Sequence, residues 1–307
     1  MKVGTIIQVF GRYYTVFFDG KEVVSVLRGK LKKDKRLKIY SEPAVVGDMV
    51  SIIAEEDGTG IIEEVHERKN VFTRKDRGFN KEDLIASNLD QIVVVQSYGI
   101  PKFNVRFVDR ILVRAEKEDI PVILCMNKCD EIEIEDKNYI EGYYSKVHIE
   151  VVTTSAKNGT NIEELRSILD SKQTIFVGNS GVGKSTLLNA LYKNIDLKTS
   201  HVSEKSNKGR HTTTNVQMIL QPNNTKIIDT PGVREFGLLD IEPEELSRYF
   251  NDLHEYSHLC KFNPCTHDHE PKCAVKDMVE NGEIHSDRHV SYLHILNSIR
   301  EYYKNRW

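Results

Sequence analysis

One eight-residue segment, Gly178-Asn-Ser-Gly-Val-Gly-Lys-Ser185, constrains the fold of this chain more than any other. It follows a short β-branched and aromatic run, Thr174–Val177, and precedes a stretch of helical character, Ser185–Tyr192. Glycines at these positions let backbone N–H groups turn toward an anion, and the helix N-terminus adds its positive dipole end. The pattern G-x-x-x-x-G-K-[ST] between a strand and a helix therefore predicts a phosphate-binding loop in an α/β domain.

The residue types of this loop assign roles to its members. We expect the backbone to surround phosphate oxygens, Lys184 to bridge the β- and γ-phosphates as a catalytic cation, and Ser185 to be a ligand of Mg²⁺. The predicted nucleotide-binding residues of the loop are Gly178, Asn179, Ser180, Gly181, Val182, Gly183, Lys184, Ser185 and Thr186.

Alternating strands and helices surround the loop. Apolar or β-branched runs at Ile92–Ser97, Val122–Met126, Glu150–Thr153, Val216–Leu220 and Lys226–Ile228 are separated by helical stretches, among them Val105–Lys117 and Ile162–Asp170. This alternation predicts a mostly parallel sheet with helices on its faces over residues 69–235.

A base-reading motif, Asn-Lys-x-Asp, occurs twice. Asn80–Asp83 lies in a polar stretch with no strand expected before it, whereas Asn127–Asp130 directly follows the predicted strand Val122–Met126. Because ligands of open α/β sheets bind at the carboxyl ends of strands, the sequence favours the second copy.

The second copy has the chemistry that guanine requires. The Asp130 carboxylate is able to accept from both N1–H and the 2-amino group of guanine, and adenine offers neither donor. The Lys128 stem is placed to cover the purine face, and Asn127 to bridge the base and the phosphate loop. Ser155 and Ala156 follow another strand, and their backbone N–H groups are expected near guanine O6.

A second acidic motif is expected to hold the metal ion. Asp229–Gly232 ends a predicted strand, which places Asp229 within reach of Mg²⁺ and the Gly232 N–H near the γ-phosphate. The same D-x-x-G pattern at Asp57–Gly60 lies in a turn of the N-terminal region and is taken as a chance match.

The polar segment Lys208–Thr214 is predicted to be a switch loop, with a plain surface loop as the alternative. Thr213, chosen from three consecutive threonines, is the expected Mg²⁺ ligand and catalytic residue. Val233 stands where Ras-like proteins carry the Gln that orients the attacking water. His211 is the candidate for that role, since an imidazole titrates in the useful range, and an exposed loop histidine is the alternative.

Residues 1–68 read as five short strands, with Asp19-Gly20 as a strong hairpin signal. Five strands in so short a segment fit an all-β, OB-like barrel. Between the third and fourth strands, Arg28–Lys38 contains seven basic residues and one acidic residue among eleven. On a small barrel this basic segment indicates contact with nucleic acid, with a solvated loop as the alternative.

Residues 236–307 lack strand-like runs and contain Cys260, Cys265, His267 and Cys273 within fourteen residues. Three thiolates and an imidazole suit a closed, tetrahedral, structural Zn²⁺ site. His258 and His269 are rival imidazoles, and buried unliganded thiols are the alternative. The segment Asp287–Tyr303 has helical periodicity, so we expect a mostly α domain.

Composition excludes several classes of protein. The net charge of −3 does not mark a globally basic nucleic-acid binder. The longest uncharged run that leans apolar, Gln91–Pro101, has eleven residues, and a bilayer span needs about twenty. Gln8 and Arg12 interrupt any apolar leader, so we expect a protein of the reducing cytoplasm, without membrane contact.

The order of these motifs is unusual for a GTPase, because the base-reading motifs precede the phosphate loop and the switches follow it. With the barrel and the Cys/His cluster, this order resembles the RsgA family, the circularly permuted GTPases that act on the small ribosomal subunit. The resemblance covers essentially the whole chain. Motif by motif, it carries over to Asn127, Lys128, Asp130, Ser155, Ala156, Gly178, Gly183, Lys184, Ser185, Thr213, Asp229 and Gly232.

The resemblance implies an OB-fold at 1–68, a circularly permuted GTPase domain at 69–235 and a zinc-binding helical domain at 236–307. It implies GTP hydrolysis to GDP, stimulated by the ribosome and dependent on Mg²⁺, in late maturation of the small subunit. We also expect rRNA binding, release after hydrolysis, one structural Zn²⁺ and a monomeric protein.

Two other functions remain open. An RNA-binding module whose guanine nucleotide is mainly structural would show no subunit-stimulated phosphate release. A large-subunit assembly GTPase would leave the barrel and the Cys cluster unexplained.

Overall fold

The computed structural model describes residues 1–31, 40, 42–75, 82–132, 134–192, 216–230, 238 and 240–304. Within them, thirteen strands and seven α-helices form a small barrel, an α/β sheet and a helical C-terminal part. No helix in these ranges is long and apolar enough to cross a bilayer.

The N-terminal barrel contains five strands: β1 (Lys2–Phe10), β2 (Tyr13–Phe18), β3 (Lys21–Leu27), β4 (Met49–Ala54) and β5 (Gly60–Val65). Their order is β1-β2-β3-β5-β4, and a β1–β4 pairing closes the ring. Side chains alternate across β2, so that Tyr14, Val16 and Phe18 are buried in the barrel core. The prediction of an OB-like barrel is confirmed.

A two-stranded hairpin follows, formed by β6 (Val71–Lys75) and β7 (Glu82–Ser87). The sequence predicts no strand here, and that expectation is wrong. Both strands are short and partly polar, and burial of Val71, Phe72 and Leu84 in the tertiary structure decides their conformation.

The hairpin corrects the reason given against the first Asn-Lys-x-Asp motif, because β6 does precede it. Asp83 lies within β7 and faces Arg74 across the hairpin at 3.4 Å, so it is not at the carboxyl end of a parallel strand. Asn80 and Lys81 lie outside the described residues.

The central sheet has the predicted α/β architecture. Its strands are β8 (Gln91–Ser97), β9 (Val122–Asn127), β10 (Glu150–Thr153), β11 (Gln173–Gly178), β12 (Gln217–Leu220) and β13 (Lys226–Asp229). The order is β10-β9-β8-β11-β13-β12, with β12 antiparallel to β13 and the other pairs parallel. The helices are α1 (Val105–Lys117), α2 (Ile134–Tyr144), α3 (Ile162–Leu169) and α4 (Lys184–Leu191).

Helices cover both faces of this sheet. Side chains of α1 and α2 pack in one apolar cluster with Ile92 and Ile175, and those of α3 and α4 pack in another with Val93 and Phe176. Burial on both faces explains why β8 reads as a continuous apolar run. The carboxyl ends of β9, β11 and β13 therefore meet at one edge.

The C-terminal part is helical over its described residues: α5 (Asn251–Ser257), α6 (Ala274–Glu280) and α7 (Ser286–Lys304) follow a 3₁₀ turn, Leu246–Tyr249. Its core contains Phe250, Tyr292 and Ile295. The predicted helix Asp287–Tyr303 is confirmed as α7.

Buried ion pairs dock this part onto α1. The Arg288 guanidinium lies between Asp109 of α1, which it contacts closely, and Asp252 of α5, with Nε 3.0 Å from Asp252 Oδ2. All three side chains are buried. Tyr143 of α2 donates to Asp109 at 2.5 Å. Elsewhere on α1, Arg114 binds both carboxylate oxygens of Asp240, at 2.7 and 3.0 Å.

Candidate functional site

The loop between β11 and α4 needs glycine at specific positions. Gly181 and Gly183 have φ angles of +88° and +87°, in the left-handed region that glycine tolerates best. A Cβ at Gly183 would lie 2.5 Å from Asn127 Nδ2, and one at Gly178 would lie 2.6 Å from the Val95 carbonyl oxygen. The close approach of neighbouring elements thus excludes a side chain at both positions.

Lys184, predicted at the phosphates, and Asp229, predicted at Mg²⁺, meet in the structure. The Lys184 ammonium forms a close ion pair with Asp229, and both side chains are about one-tenth exposed. Ser185 is half-buried in the first turn of α4, and Thr186 beside it is exposed. At the end of β13, the Thr230 hydroxyl donates to the Phe176 carbonyl at 2.8 Å, which fixes β13 to β11 beside the loop. A cation, a carboxylate and a hydroxyl therefore lie together at one sheet edge.

Asn127 connects this loop to the base-reading motifs. Its side chain is buried, and Nδ2 donates to the Val182 carbonyl at 3.0 Å. Its Oδ1 accepts from the Ala156 backbone N–H at 3.1 Å. One amide group thus fixes the relative positions of three loops that lie far apart in sequence.

Asp130 is oriented and kept ionised by its neighbours. The Ser155 hydroxyl donates to Asp130 Oδ1 at 2.6 Å, and Lys157 Nζ lies 3.5 Å from Oδ2. The Ser155 hydrogen bond, with a smaller effect from Lys157, lowers the pKa of Asp130 below its ordinary value. An ionised carboxylate is the form that accepts from two guanine donors.

The backbone N–H groups expected near guanine O6 already have protein partners. Ser155 N–H donates to the Thr160 carbonyl at 3.2 Å, and Ala156 N–H donates to Asn127. A contact of the Ala156 N–H with guanine O6 would therefore share or replace its hydrogen bond to Asn127 Oδ1.

No local feature of the sequence predicts the contacts that hold Lys128. This residue has a left-handed φ of +61°, and its ammonium donates to the Ile100 carbonyl at 2.5 Å. The Ile100 loop is itself held by Ser97, whose hydroxyl donates to the Pro101 carbonyl at 2.9 Å. The acceptors are backbone carbonyl oxygens, which every residue has, so the residue types do not predict these hydrogen bonds. Lys157, by contrast, stands directly after the Ser-Ala pair, and this position is a signal from which it could be found.

Several predicted site residues lie outside the described part of the chain: His211, Thr213, Gly232 and the rest of Lys208–Thr214, with Val233. Residues 32–38 of the basic segment are outside it as well. At its described start, Arg28 and Lys30 both pair with the buried Glu63.

The C-terminal part brings four potential metal ligands together. The ligand atoms of Cys260, Cys265, His267 and Cys273 all lie within 4.8 Å of one another. His267 Nδ1 is 3.3 Å from Cys273 Sγ and 3.6 Å from Cys260 Sγ. The rival imidazoles, His258 and His269, are exposed. The structure therefore selects His267 from the three.

The imidazole of His267 is preset to bind through Nδ1. The Ser257 hydroxyl donates to the Leu253 carbonyl at 3.0 Å and lies 3.2 Å from His267 Nε2, so it accepts the Nε2–H. This leaves the Nδ1 lone pair directed at the thiols, the arrangement that a second shell gives to metal-bound histidine.

The donor set fits a soft divalent cation. Burial lowers the pKa of His267 to about 4, which keeps the ring neutral, and raises the pKa of Cys265 to about 12. Buried thiols with raised pKa values lose their protons only to a strongly binding cation. Three thiolates and one imidazole in a closed cluster favour Zn²⁺ in a structural role.

Comparisons with known proteins decide the family. The family model of the RsgA GTPase matches residues 65–239, and that of the RsgA N-terminal domain matches residues 3–62. The chain belongs to the RsgA family. It is a GTPase of this family, with the circularly permuted architecture expected from the order of its motifs.

Relatives match over nearly the whole chain. The chain is 38% identical over 304 residues to "Small ribosomal subunit biogenesis GTPase RsgA" of Phocaeicola vulgatus, covering 97% of both. It is 38% identical over 309 residues to the protein of the same name from Christiangramia forsetii, covering 98% of both.

Two solved structures have the same fold. YjeQ from Thermotoga maritima matches with a TM-score of 0.77 and 34% identity, over 97% of this chain and 98% of that one. YloQ, described as a circularly permuted GTPase, matches with a TM-score of 0.73 and 33% identity, over 98% and 96%.

Proposed function

We propose that this RsgA-family GTPase is a late-stage assembly factor of the small ribosomal subunit, which binds rRNA and is released after subunit-stimulated hydrolysis of GTP. The observation that carries the proposal is the junction at Asn127, where the phosphate loop and both base-reading motifs are held together by one side chain. The names of the relatives supply the ribosomal subunit as the partner.

In this proposal the nucleotide lies along the carboxyl edge of the sheet. Asp130 accepts from guanine N1–H and the 2-amino group, while the Lys128 stem covers the purine face. The glycine loop directs its N–H groups at the phosphates, and Lys184 neutralises the β- and γ-oxygens.

Ser185, Asp229 and Thr213 are the proposed Mg²⁺ residues. The ion, when bound with GTP, neutralises charge that develops on the phosphoryl oxygens. The Gly232 N–H is proposed to contact the γ-phosphate and His211 to orient the attacking water, since Val233 has no polar group to do so. The close Lys184–Asp229 pair supports a shared phosphate and metal site.

Zn²⁺ at Cys260, Cys265, His267 and Cys273 is proposed as a structural ion. We place the protein in the cytoplasm, because the names of its relatives assign them to biogenesis of the small ribosomal subunit. A monomeric state and the absence of membrane contact stay predictions.

Phosphate release with and without purified small subunits tests the proposal. The free protein should turn over slowly, since Ras-like proteins alone reach only about 10⁻⁴ s⁻¹, and small subunits should raise the rate. Large subunits at equal concentration serve as the control. Stimulation by large subunits would favour the large-subunit alternative, and no stimulation by either would favour an RNA-binding module with a structural nucleotide.

A further inference from the structure

Strand β1 belongs to two hydrophobic cores at once. Its register with β2 shifts between Ile6 and Gln8, so Ile7 is the extra residue of a β-bulge. Ile6 packs in the barrel core and Ile7 packs in the core of the central sheet, as expected for successive side chains that point to opposite faces of a strand. The bulge bends β1 at the point where the strand passes from the barrel to the central sheet.

The same edge of β1 pairs with two different strands. Residues Lys2–Thr5 pair with β4 and close the barrel, and Gln8 pairs with Gln217 of β12. Ile7 shares its core with Met218 of β12. The barrel is therefore joined to the outer strand of the central sheet by both backbone pairing and apolar packing.

A single cross-strand row leads from this junction to the phosphate site. Gln8 is paired with Gln217, Gln217 with Asp229, and Asp229 with Phe176 of β11. At about 4.8 Å per strand, the Asp229 backbone lies about 10 Å from β1. The Asp229 side chain is the one that contacts Lys184.

The barrel is held at a second point, near the amino ends of the central strands. The buried Asp48 carboxylate accepts from Arg68 at 2.7 and 2.8 Å and from the Ser87 hydroxyl at 2.6 Å. A Cβ at Gly47 would lie 2.2 Å from the Ser87 carbonyl oxygen, so the backbone segments around Gly47 and Ser87 are in tight contact. The barrel is therefore held to the central domain at two places, here and at the pairing of β1 with β12.

We propose that the contact of Ile7 and Gln8 with β12 is a regulatory coupling, through which RNA bound to the barrel and the nucleotide bound at Asp229 act on the same β12–β13 hairpin. This inference rests on the proposed function and adds the route of regulation. Coupling free energies are reciprocal. The small subunit should therefore change the ratio of GTP affinity to GDP affinity by the same factor by which replacing GDP with GTP changes the affinity for the subunit.

Hydrogen exchange of the wild-type protein is the first test. Binding of small subunits should change the protection of amides in 217–220 and 226–229, at fixed nucleotide. Replacing GDP by a non-hydrolysable GTP analogue should change the protection of amides around Ile7 and Gln8, which lie outside the nucleotide site. Unchanged exchange in both segments would overturn the proposal.

Two adjacent substitutions give a matched pair for the second test. Ile7→Ala removes the side chain that packs on the central sheet, and Ile6→Ala removes its neighbour in the barrel core. At saturating small subunits, Ile7→Ala should lower the maximal stimulation of hydrolysis at least about fivefold, the smaller end of measured allosteric coupling. Its basal rate and GTP affinity should stay within about twofold of wild type. Ile6→Ala should need more subunit for half-stimulation but reach the wild-type maximum.

The outcomes separate this inference from the proposed function. If small subunits do not stimulate the wild type, the proposed function fails. If they stimulate the wild type, and Ile7→Ala is stimulated to the same maximum with an unchanged ratio of subunit affinities in GTP and GDP, the coupling fails while the function stands.

Discussion

At the scale of single residues, Asn127 shows what a motif predicts and what it leaves out. Its type and its place after a strand are local properties, and they predict a base-reading residue. Its bonds to Val182 and Ala156, at 3.0 and 3.1 Å, depend on loops that are distant in sequence. Sequence therefore identifies the site residues, and the contacts that orient them need the fold.

The Asp130 carboxylate is expected to select guanine. Asp130→Asn replaces a double acceptor with an amide that also donates. GTP should therefore bind at least about tenfold more weakly, since hydrogen bonds to charged groups contribute about 1.5–3 kcal/mol. Xanthosine triphosphate, which has a carbonyl at C2, should gain affinity. Titration of both nucleotides checks the exchange, and Asp83→Asn is the control. A switch in specificity at Asp83 rather than Asp130 would show that the other motif reads the base.

His211 is expected to matter for stimulation and not for binding. His211→Ala should keep the affinity for GTP and for small subunits and lose most of the stimulated rate, since general acid–base groups contribute about 10²–10⁴-fold. Single-turnover hydrolysis at saturating subunits measures this, and His258→Ala, an exposed histidine of the C-terminal part, is the control. Full stimulation of His211→Ala would assign the water to another group, such as one from rRNA.

At the scale of elements, a strand or helix with a strong apolar pattern is predictable from the sequence, and one with a weak apolar pattern is not. The runs that became β8, β9 and β11 are β-branched and apolar because both faces of the sheet are buried. β6 has only Val71 and Phe72 to bury, and α2 has no clear apolar stripe, so neither gave a local signal. The bulge at Ile7 is also not predictable, because the local sequence does not show that β1 has one more residue than β2 at this point.

The basic segment Arg28–Lys38 is expected to determine the affinity for rRNA. Changing Lys32, Lys33, Lys35 and Arg36 to Glu should weaken binding of small subunits and flatten its salt dependence, since fewer counterions are released from the phosphates. Basal hydrolysis should hardly change, because the segment belongs to the barrel. Binding isotherms at several salt concentrations provide the slope. An unaltered slope and full stimulation at moderate salt would mean that the segment is only a solvated loop.

At the scale of the molecule, the docking of the C-terminal part was not predictable, because Arg288 and its partners are far apart in sequence. The docking matters for the permuted order. The chain that leaves β13 at Asp229 reaches Asp240, which is bound by Arg114 of α1. The strand that carries Asp229 is thus followed in sequence by a part of the molecule that contacts α1 of the GTPase domain.

Loss of the buried cation should loosen this docking. Arg288→Met leaves the Asp109 and Asp252 carboxylates buried without their partner, and such a change costs about 3–5 kcal/mol. Burial already raises the pKa of Asp109, and the folded variant should bind a proton more tightly than the unfolded chain. Its stability should therefore recover as pH falls toward 3.8, the ordinary value for Asp. Denaturant unfolding at several pH values checks both effects, and a stability equal to wild type at neutral pH would contradict them.

Removal of the metal should loosen the C-terminal part of the molecule and leave the nucleotide site of the central sheet intact. The cluster lies in the C-terminal part, which contacts α1 and α2, whereas the phosphate loop belongs to the central sheet with its own two cores. Because metal binding and local folding are coupled, Cys265→Ser or Cys273→Ser should lose zinc and raise hydrogen exchange from about residue 250 onward. GTP affinity should be kept.

The control is Cys129→Ser, which changes a thiol outside the cluster. This variant should retain one zinc per chain by elemental analysis. A wild-type protein without zinc would refute the assignment, and loss of GTP binding in the zinc-free variants would show that the two parts do not fold independently.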